Sequence, residues 1–296
     1  MFEGLIDRIE RNEAISTVAT TLKEKIEPLV GDGAVRDVLT GRWLGHPAHP
    51  AVVIAPLAGW FAGTLLDIVG GSAARSSAQR LVGIGTIAAM PAAMTGAADW
   101  LTTNSAEERV GTVHAALADG ATVMYATSWL LRTRRHHRAA VAAGLVGAGF
   151  AGATAFLGGH LSFRRGVGVT TVAFQHGPDE WRPLELDAAP TPGRVVRGVA
   201  GGVAYAVVGA PAGSSKPTVM ESRCSHRGGP LHDGVVVDGC IECPWHGARF
   251  DLDTGAVRRG PAAAPQPVYD VQVDGDVVRI RRDEPGGLRA NVTTAD

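Results

Sequence analysis

Cysteine is scarce in this chain: 296 residues hold three, Cys224, Cys240 and Cys243, all within twenty positions of one another. An odd, clustered set does not build a disulfide framework and reads instead as metal ligation in a reducing setting. Charge of one sign is also lacking. The formal net charge is −1, so nothing in the electrostatic total points to nucleic acid. The opening residues, MFEGLIDRIERNEAIS, interleave acidic and basic with apolar side chains. They show no apolar stretch of the kind a cleaved leader needs. After His246 the last 50 residues contain no histidine, which leaves little from which to build a second metal site downstream.

What is present is unevenly spread. The chain is long enough for two domains, and its hydrophobic share of 45% is concentrated in residues 51–160 as Ala, Gly, Val, Leu and Ile. Residues 1–44 place Phe2, Ile6, Ile9, Ile15, Val18, Leu22, Ile26 and Leu29 at roughly helical spacing, which predicts amphipathic helices covering a bundle or lying on a membrane surface. Four apolar segments follow, at 51–70, 81–101, 111–131 and 139–159. Each is close to the roughly 20 residues that span a bilayer as a helix. The fourth carries Ala140, Gly144, Ala148 and Gly152 at spacing four, a small-residue seam for close helix approach. The rival reading is a soluble Ala-rich bundle, since segments one to three each hold an Asp. Beyond residue 166 the pattern turns to short alternating runs (VTTVAF, RVVRGVA, VAYAVVG, VYDVQV, DVVRIRR) between turn signals, and Asp274-Gly275 marks a hairpin. The expected architecture is an N-terminal all-α four-helix transmembrane bundle and a C-terminal all-β domain. Its divisions are an amphipathic segment 1–44, a four-span domain 45–165, a β domain 166–283 and a tail 284–296.

The chemistry-bearing motif is Cys224-Ser225-His226 with Cys243-Pro244-Trp245-His246. Two thiolates on one iron and two imidazoles on the other are what a 2Fe–2S centre of raised potential requires. Gly228, Gly229 and Gly247 beside them let backbone approach the cluster. Two Cys and two His also suit tetrahedral zinc, although a zinc finger groups its Cys pair and its His pair separately, whereas here each loop carries one of each. The stretches CSHRGGPLHDG (224–234) and CPWHGARFDLDTG (243–255) resemble the cluster loops of Rieske ferredoxins, and Gly260-Pro261 with Pro265 and Pro267 resembles the proline loop of that family. The likeness runs over about residues 168–283. It implies a 2Fe–2S cluster bound by Cys224, His226, Cys243 and His246. Rieske proteins of respiratory complexes add a disulfide at positions that match Gly229 and Trp245, and hydroxyls at positions that match Ala248 and Phe250. The missing hydroxyls mean fewer hydrogen bonds to the cluster and its ligand sulfur, which implies a potential near the low end of the Rieske range, about −150 mV. Cys240 reads as a strand residue near the site, and His232 as a solvated loop histidine.

Residues 45–165 resemble a family of small four-helix membrane domains of unassigned function. The likeness rests on the paired motif His46-Pro47-Ala48-His49-Pro50 and the closing stretch GGHLSFRRGVGV at 158–169. With four spans, His46, His49, Asp99, His114 and His160 fall at one membrane face, the one that carries the β domain. Ionisable groups at membrane depth are functional candidates. These histidines could take haem, a metal or a quinone, with Asp99 orienting one ring, or could be satisfied by backbone carbonyls alone. Asp67 and Asp119 are the remaining carboxylates of the apolar segments. Arginines nearly balance between the two faces. Arg134-Arg135 before an apolar span permits a twin-arginine export reading that would put the cluster outside. The first 45 residues show no export signal and the site no stabilising disulfide, which favours a cell-membrane, multi-pass protein with a cytoplasmic cluster. A Rieske oxygenase would need a mononuclear iron held by two His and a carboxylate, for which length and ligands are wanting. The reading is therefore a membrane-tethered low-potential Rieske ferredoxin that passes single electrons between a membrane donor (quinol or haem) and a redox partner protein. The alternative is a non-catalytic redox sensor or anchor using the same cluster. The lipid membrane is the other partner, and oligomeric state is not legible.

Overall fold

The computed structural model describes residues 2–210 and 216–282, so the expected tail 284–296 lies outside the described residues. Eight α-helices run in chain order: α1 (Phe2–Glu10), α2 (Glu13–Val30), α3 (Ala34–Thr40), α4 (His49–Val52), α5 (Ile54–Val69), α6 (Arg75–Trp100), α7 (Ser105–Thr133) and α8 (His137–Gly159). Eleven strands follow: β1 (Arg182–Pro183), β2 (Glu185–Leu186), β3 (Val195–Ala200), β4 (Val203–Val208), β5 (Thr218–Glu221), β6 (Val235–Val237), β7 (Cys240–Glu242), β8 (Arg249–Asp251), β9 (Val257–Arg259), β10 (Val268–Asp274) and β11 (Val277–Arg281). The chain divides into two compact units. One holds residues up to Val35 with Pro47–Val167; the other holds Arg36–His46 with the described residues from Gly168 onward.

That division corrects the expected N-terminal segment 1–44. Residues 36–46 pack with the β unit because their polar groups find partners there. Asp37 Oδ1 accepts the Gly260 N–H at 2.7 Å, and Arg42 donates to the carbonyls of Val257 and Arg258 at 3.2 and 2.9 Å. Arg42 Nε also lies 3.1 Å from Asp37 Oδ2, which ties the two contacts together.

In the helical unit, α5 pairs with α6 and α7 with α8. Small residues permit the first pairing: a Cβ at Gly59 would stand 2.7 Å from the Leu81 carbonyl, and one at Gly85 2.9 Å from that of Pro56. The core stacks Trp60 on Tyr125 at 4.7 Å between centroids, and Tyr125 shares a 2.9 Å hydrogen bond with Thr64. The α8 seam differs from the expected one. Ala140, Ala143, Gly144, Gly147 and Ala151 are buried, whereas a Cβ at Gly152 would meet nothing within 4 Å. The helix period of 3.6 carries a strict spacing of four off the contact face within three steps.

Among the described residues, three helical stretches are long and apolar enough to cross a membrane: His49–Val69, Arg75–Trp100 and His137–Arg164. The expected count of four is therefore not met by composition. Helix α7 is not one of the three; it holds His114 and Asp119 within its apolar stretch and Glu107, Glu108, Arg109 and Arg132 near its ends. It is also the helix against which α1 and α2 pack. Ile6 of α1 is buried with Val110, Leu157 and Leu161, so the amphipathic N-terminal helices cover part of the most polar of the four long helices with protein.

The β unit contains a seven-stranded sheet ordered β1-β11-β10-β5-β4-β3-β2 and a four-stranded sheet ordered β6-β7-β8-β9. Alternation is clean in β3, where Val196, Gly198 and Ala200 face inward, as period-two patterning requires. The β10–β11 hairpin turns at Gly275-Asp276, one place beyond the expected Asp-Gly pair, with Asp274 opposite Val277 and Gly275 at φ +60°. The run VTTVAF forms turns in place of the expected strand. Thr171 spends its polar groups elsewhere: its N–H reaches the Ser225 carbonyl at 3.1 Å and its hydroxyl reaches the Cys224 carbonyl at 2.7 Å.

Candidate metal centre

Two loops of one design emerge from this β unit. The first leaves β5 and is closed by a bridge between Arg223 and Pro230. The second is the connection of the β7–β8 hairpin, whose last pair is Glu242 opposite Arg249. In the first, Gly228 N–H bonds the Cys224 carbonyl at 2.8 Å and Cys224 N–H bonds that of Gly229 at 2.9 Å. In the second, Gly247 bonds Cys243 at 3.0 Å and Cys243 bonds Ala248 at 2.8 Å. Each turn closes on a glycine four residues after its cysteine, at φ +77° and +68°, a conformation L side chains rarely adopt.

The loops bring four side chains together. Cys224 and Cys243 are hydrogen-bonded to one another, the first receiving backbone N–H groups of His226 and Arg227 and the second those of Trp245 and His246. That bond holds the Cys243 thiol below its ordinary value, against the opposing effect of burial. The same bond, aided by burial, raises Cys224. The His226 and His246 rings lie edge to face, 5.2 Å between centroids. Burial, then the neighbouring His246, lowers His226 to about 3, which keeps it in the neutral form that can ligate.

These residues fit a two-iron cluster. With a metal–nitrogen bond of about 2.0–2.1 Å and roughly 1.1 Å from nitrogen to ring centre, two imidazoles at a tetrahedral metal have centroids about 5.2 Å apart. Among the described residues no three His, Cys, Asp or Glu side chains converge on one metal position. A mononuclear zinc site requires four such ligands. A 2Fe–2S cluster needs two per iron, with its sulfides supplying the rest.

The supporting shell held residues that motif reasoning missed. Gln266, 1% exposed, accepts the Ser225 N–H at 2.9 Å and donates to the carbonyls of Glu221 and Arg223 at 2.7 and 2.8 Å. Ser225 Oγ donates to the Ala264 carbonyl at 2.7 Å. Together they latch the first cluster loop to the proline-bearing segment. The only sequence signal was a polar residue between two prolines. His232, expected in solvent, instead bonds Ser222 Oγ through Nδ1 at 2.5 Å. Cys240 opens β7 and is buried. At Gly229 a Cβ would stand 2.8 Å from Cys243 Sγ and 3.1 Å from the Trp245 ring, so positions 229 and 245 are neighbours. Ala248 and Phe250 are fully buried beside both cysteines.

Glu221 adds a pH dependence. Burial holds its carboxyl above the ordinary 4.5, in spite of the Tyr269 hydroxyl 3.3 Å away. A raised folded-state pKa gives stability that is full below the unfolded value and lost as pH rises through the folded one. The wild type should therefore lose thermal stability relative to Glu221→Gln as pH climbs from below 4.5 towards neutrality. Parallel pH profiles would contradict this.

Of the five residues expected at one membrane face, the structure brings His49 and His114 together and gives His160 a partner of its own. His46 falls in the β unit. His160 Nε2 lies 3.0 Å from Glu10 Oε1, which also accepts from Arg165 Nε at 2.9 Å; the ring is accounted for by an ion-pair network with α1. His49 and His114 do come together, 6.4 Å between centroids. Their Nδ1 atoms face the carbonyls of Ala92 and Thr154. Asp99, expected to orient one of these rings, is therefore not their partner: backbone carbonyls and Glu10 fill that role.

Comparison with known proteins agrees with both halves. Residues 181–270 match the Rieske [2Fe-2S] domain, and residues 45–171 match the family described as Predicted membrane protein (DUF2231). Over 59 residues the chain is 44% identical to the anthranilate 1,2-dioxygenase ferredoxin subunit of Burkholderia cepacia, covering 20% of this chain and 55% of that one. Over 68 residues it is 34% identical to the biphenyl 2,3-dioxygenase ferredoxin component of Rhodococcus jostii (strain RHA1), covering 23% and 62%. Among solved structures, the ferredoxin of carbazole 1,9a-dioxygenase from Nocardioides aromaticivorans IC177 is 30% identical over 35% of this chain and 98% of its own, with a TM-score of 0.31. The chain thus spans little more than half the length of these two curated relatives. It joins a helical DUF2231 domain to a β Rieske domain, and a Rieske domain binds a 2Fe–2S cluster.

Proposed function

We propose that this fusion is a membrane-tethered, low-potential Rieske ferredoxin that carries single electrons between a membrane donor, quinol or haem, and a redox partner protein. Cys224 and Cys243 hold one iron and His226 and His246 the other. The observation that carries this reading is the congruence of the two loops, each giving one thiol and one imidazole to pairs spaced for two separate irons. The matched ferredoxin components of two dioxygenases support a carrier role. Among the described residues no further three-ligand group exists that could serve as an oxygenase iron site.

When bound, the cluster supplies a centre that accepts and releases one electron. The chain's own residues set where and at what potential. Cys224 and Cys243 are 1% and 3% exposed, whereas both histidines are half-buried, so a partner reaches the site from the imidazole side, beside Trp245, which is 55% exposed. Four backbone N–H groups on the two sulfurs favour the reduced, more negative state. Ala248 and Phe250 offer no hydroxyl to add to them. The cluster domain is placed on the cytoplasmic side of the membrane, in keeping with Gly229 and Trp245 standing where a disulfide would otherwise be.

A redox titration followed by electron paramagnetic resonance tests this reading. The wild-type midpoint is expected near −150 mV, and the double variant Ala248→Ser, Phe250→Tyr is expected to raise it by adding hydrogen bonds to sulfur. A wild-type midpoint well above zero, or no shift in the variant, would contradict the low-potential assignment.

A further inference from the structure

The helical unit holds a second pair of imidazoles. His49 begins α4 and His114 sits on α7, with ring centroids 6.4 Å apart and planes at 80°. His49 Nδ1 lies 3.0 Å from the Ala92 carbonyl and 3.2 Å from Thr95 Oγ1. His114 Nδ1 lies 2.9 Å from the Thr154 carbonyl. A carbonyl only accepts, so each Nδ1 carries the proton and each Nε2 keeps its lone pair. Metal-ligating histidines are oriented in this way, with the non-ligating nitrogen donating to a carbonyl or carboxylate.

Separation adds the second argument. The same arm lengths that give about 5.2 Å at a tetrahedral metal give about 6.4 Å when the two nitrogens stand opposite one another across it. The cluster pair shows the first value and the His49–His114 pair the second. Each ring is also seated on a glycine: a Cβ at Gly96 would be 2.8 Å from His49 Cε1, and one at Gly158 3.2 Å from His114 Cε1. Thr154 Oγ1, on the residue that orients His114, is buried without a hydrogen-bond partner. Two imidazoles placed among apolar helices are costly, which makes them functional candidates by default.

We propose that His49 and His114 are trans ligands of one metal centre inside the helical unit. The chemistry required is a metal that accepts two opposed imidazole nitrogens. Haem iron meets it through its two axial positions, and a bare copper ion held by the pair alone meets it as well. This site does not depend on the cluster assignment.

The test uses the full chain, expressed with iron and a haem precursor, purified in detergent and, in parallel, reconstituted with haemin or with copper(I). Metal analysis, reduced-minus-oxidised optical spectra and the cluster's resonance signal are recorded on each sample. Expected is one metal per chain beyond the cluster irons, lost in His49→Gln and in His114→Gln while the cluster signal persists. Glutamine retains an N–H for the carbonyl and offers no ring nitrogen. Porphyrin bands that vanish in these variants assign haem; copper without such bands, lost in the same variants, assigns the bare ion. Should either variant fail to accumulate, Gly158→Ala crowds the His114 ring and is expected to lower occupancy. Absence of any additional metal after both reconstitutions, or metal retained in both glutamine variants, would overturn the proposal.

Discussion

Arg132→Met is expected to destabilise the helical unit by about 3–5 kcal/mol, because it leaves a carboxylate buried without its partner. Arg132 of α7 pairs with Asp67 of α5; Nη1 donates to Oδ1 at 2.9 Å and Nη2 donates to Oδ2. Both side chains are 2% exposed. Two parallel hydrogen bonds of this kind have fixed geometry as well as strength. The loss comes from the orphaned charge, so the double variant Asp67→Leu, Arg132→Met should recover most of it, as replaced buried pairs commonly do. Denaturation of the detergent-solubilised chain measures both. A single variant as stable as wild type would mean that the pair is hydrated, and a double variant no better than the single would locate the loss in packing.

That ion pair also shows where sequence reading reached its limit. Asp67 and Arg132 were each legible as a polar residue at the end of an apolar segment, but their pairing is a product of helix packing, which no local pattern encodes. The cluster loops were legible because their chemistry is local: a cysteine, a histidine and a glycine within four residues specify one turn. The helices were legible by length, while the burial of α7 was not, since the chain that covers it comes from residues 2–30. His160 was grouped with the other membrane histidines by position along its helix, and Glu10, its partner, lies 150 residues away. Residues 36–46 joined the β unit through Asp37 and Arg42, charged side chains that a hydrophobic pattern passes over. Thr171 had the composition of a strand and was drawn instead into the cluster loop by two hydrogen bonds to it.

The second large effect is expected at the imidazoles of the cluster. His226→Ala and His246→Ala should each abolish the resonance signal, since an iron deprived of one of its two protein ligands is not held. Replacing both with Cys should keep a cluster and lower its potential by about 250 mV, from the bottom of the Rieske range towards the all-cysteine value near −400 mV. Gln266→Ala, which frees the Ser225 N–H but removes no ligand, should leave the signal present and broadened.

The ligand set is tested most directly by metal, sulfide and resonance measurement on one preparation of the wild-type chain. Cys224, His226, Cys243 and His246 are expected to hold a 2Fe–2S cluster: labile sulfide equal to the cluster iron, and after reduction a Rieske-type signal with couplings from two imidazole nitrogens. Zinc bound by these four residues with no labile sulfide would contradict it.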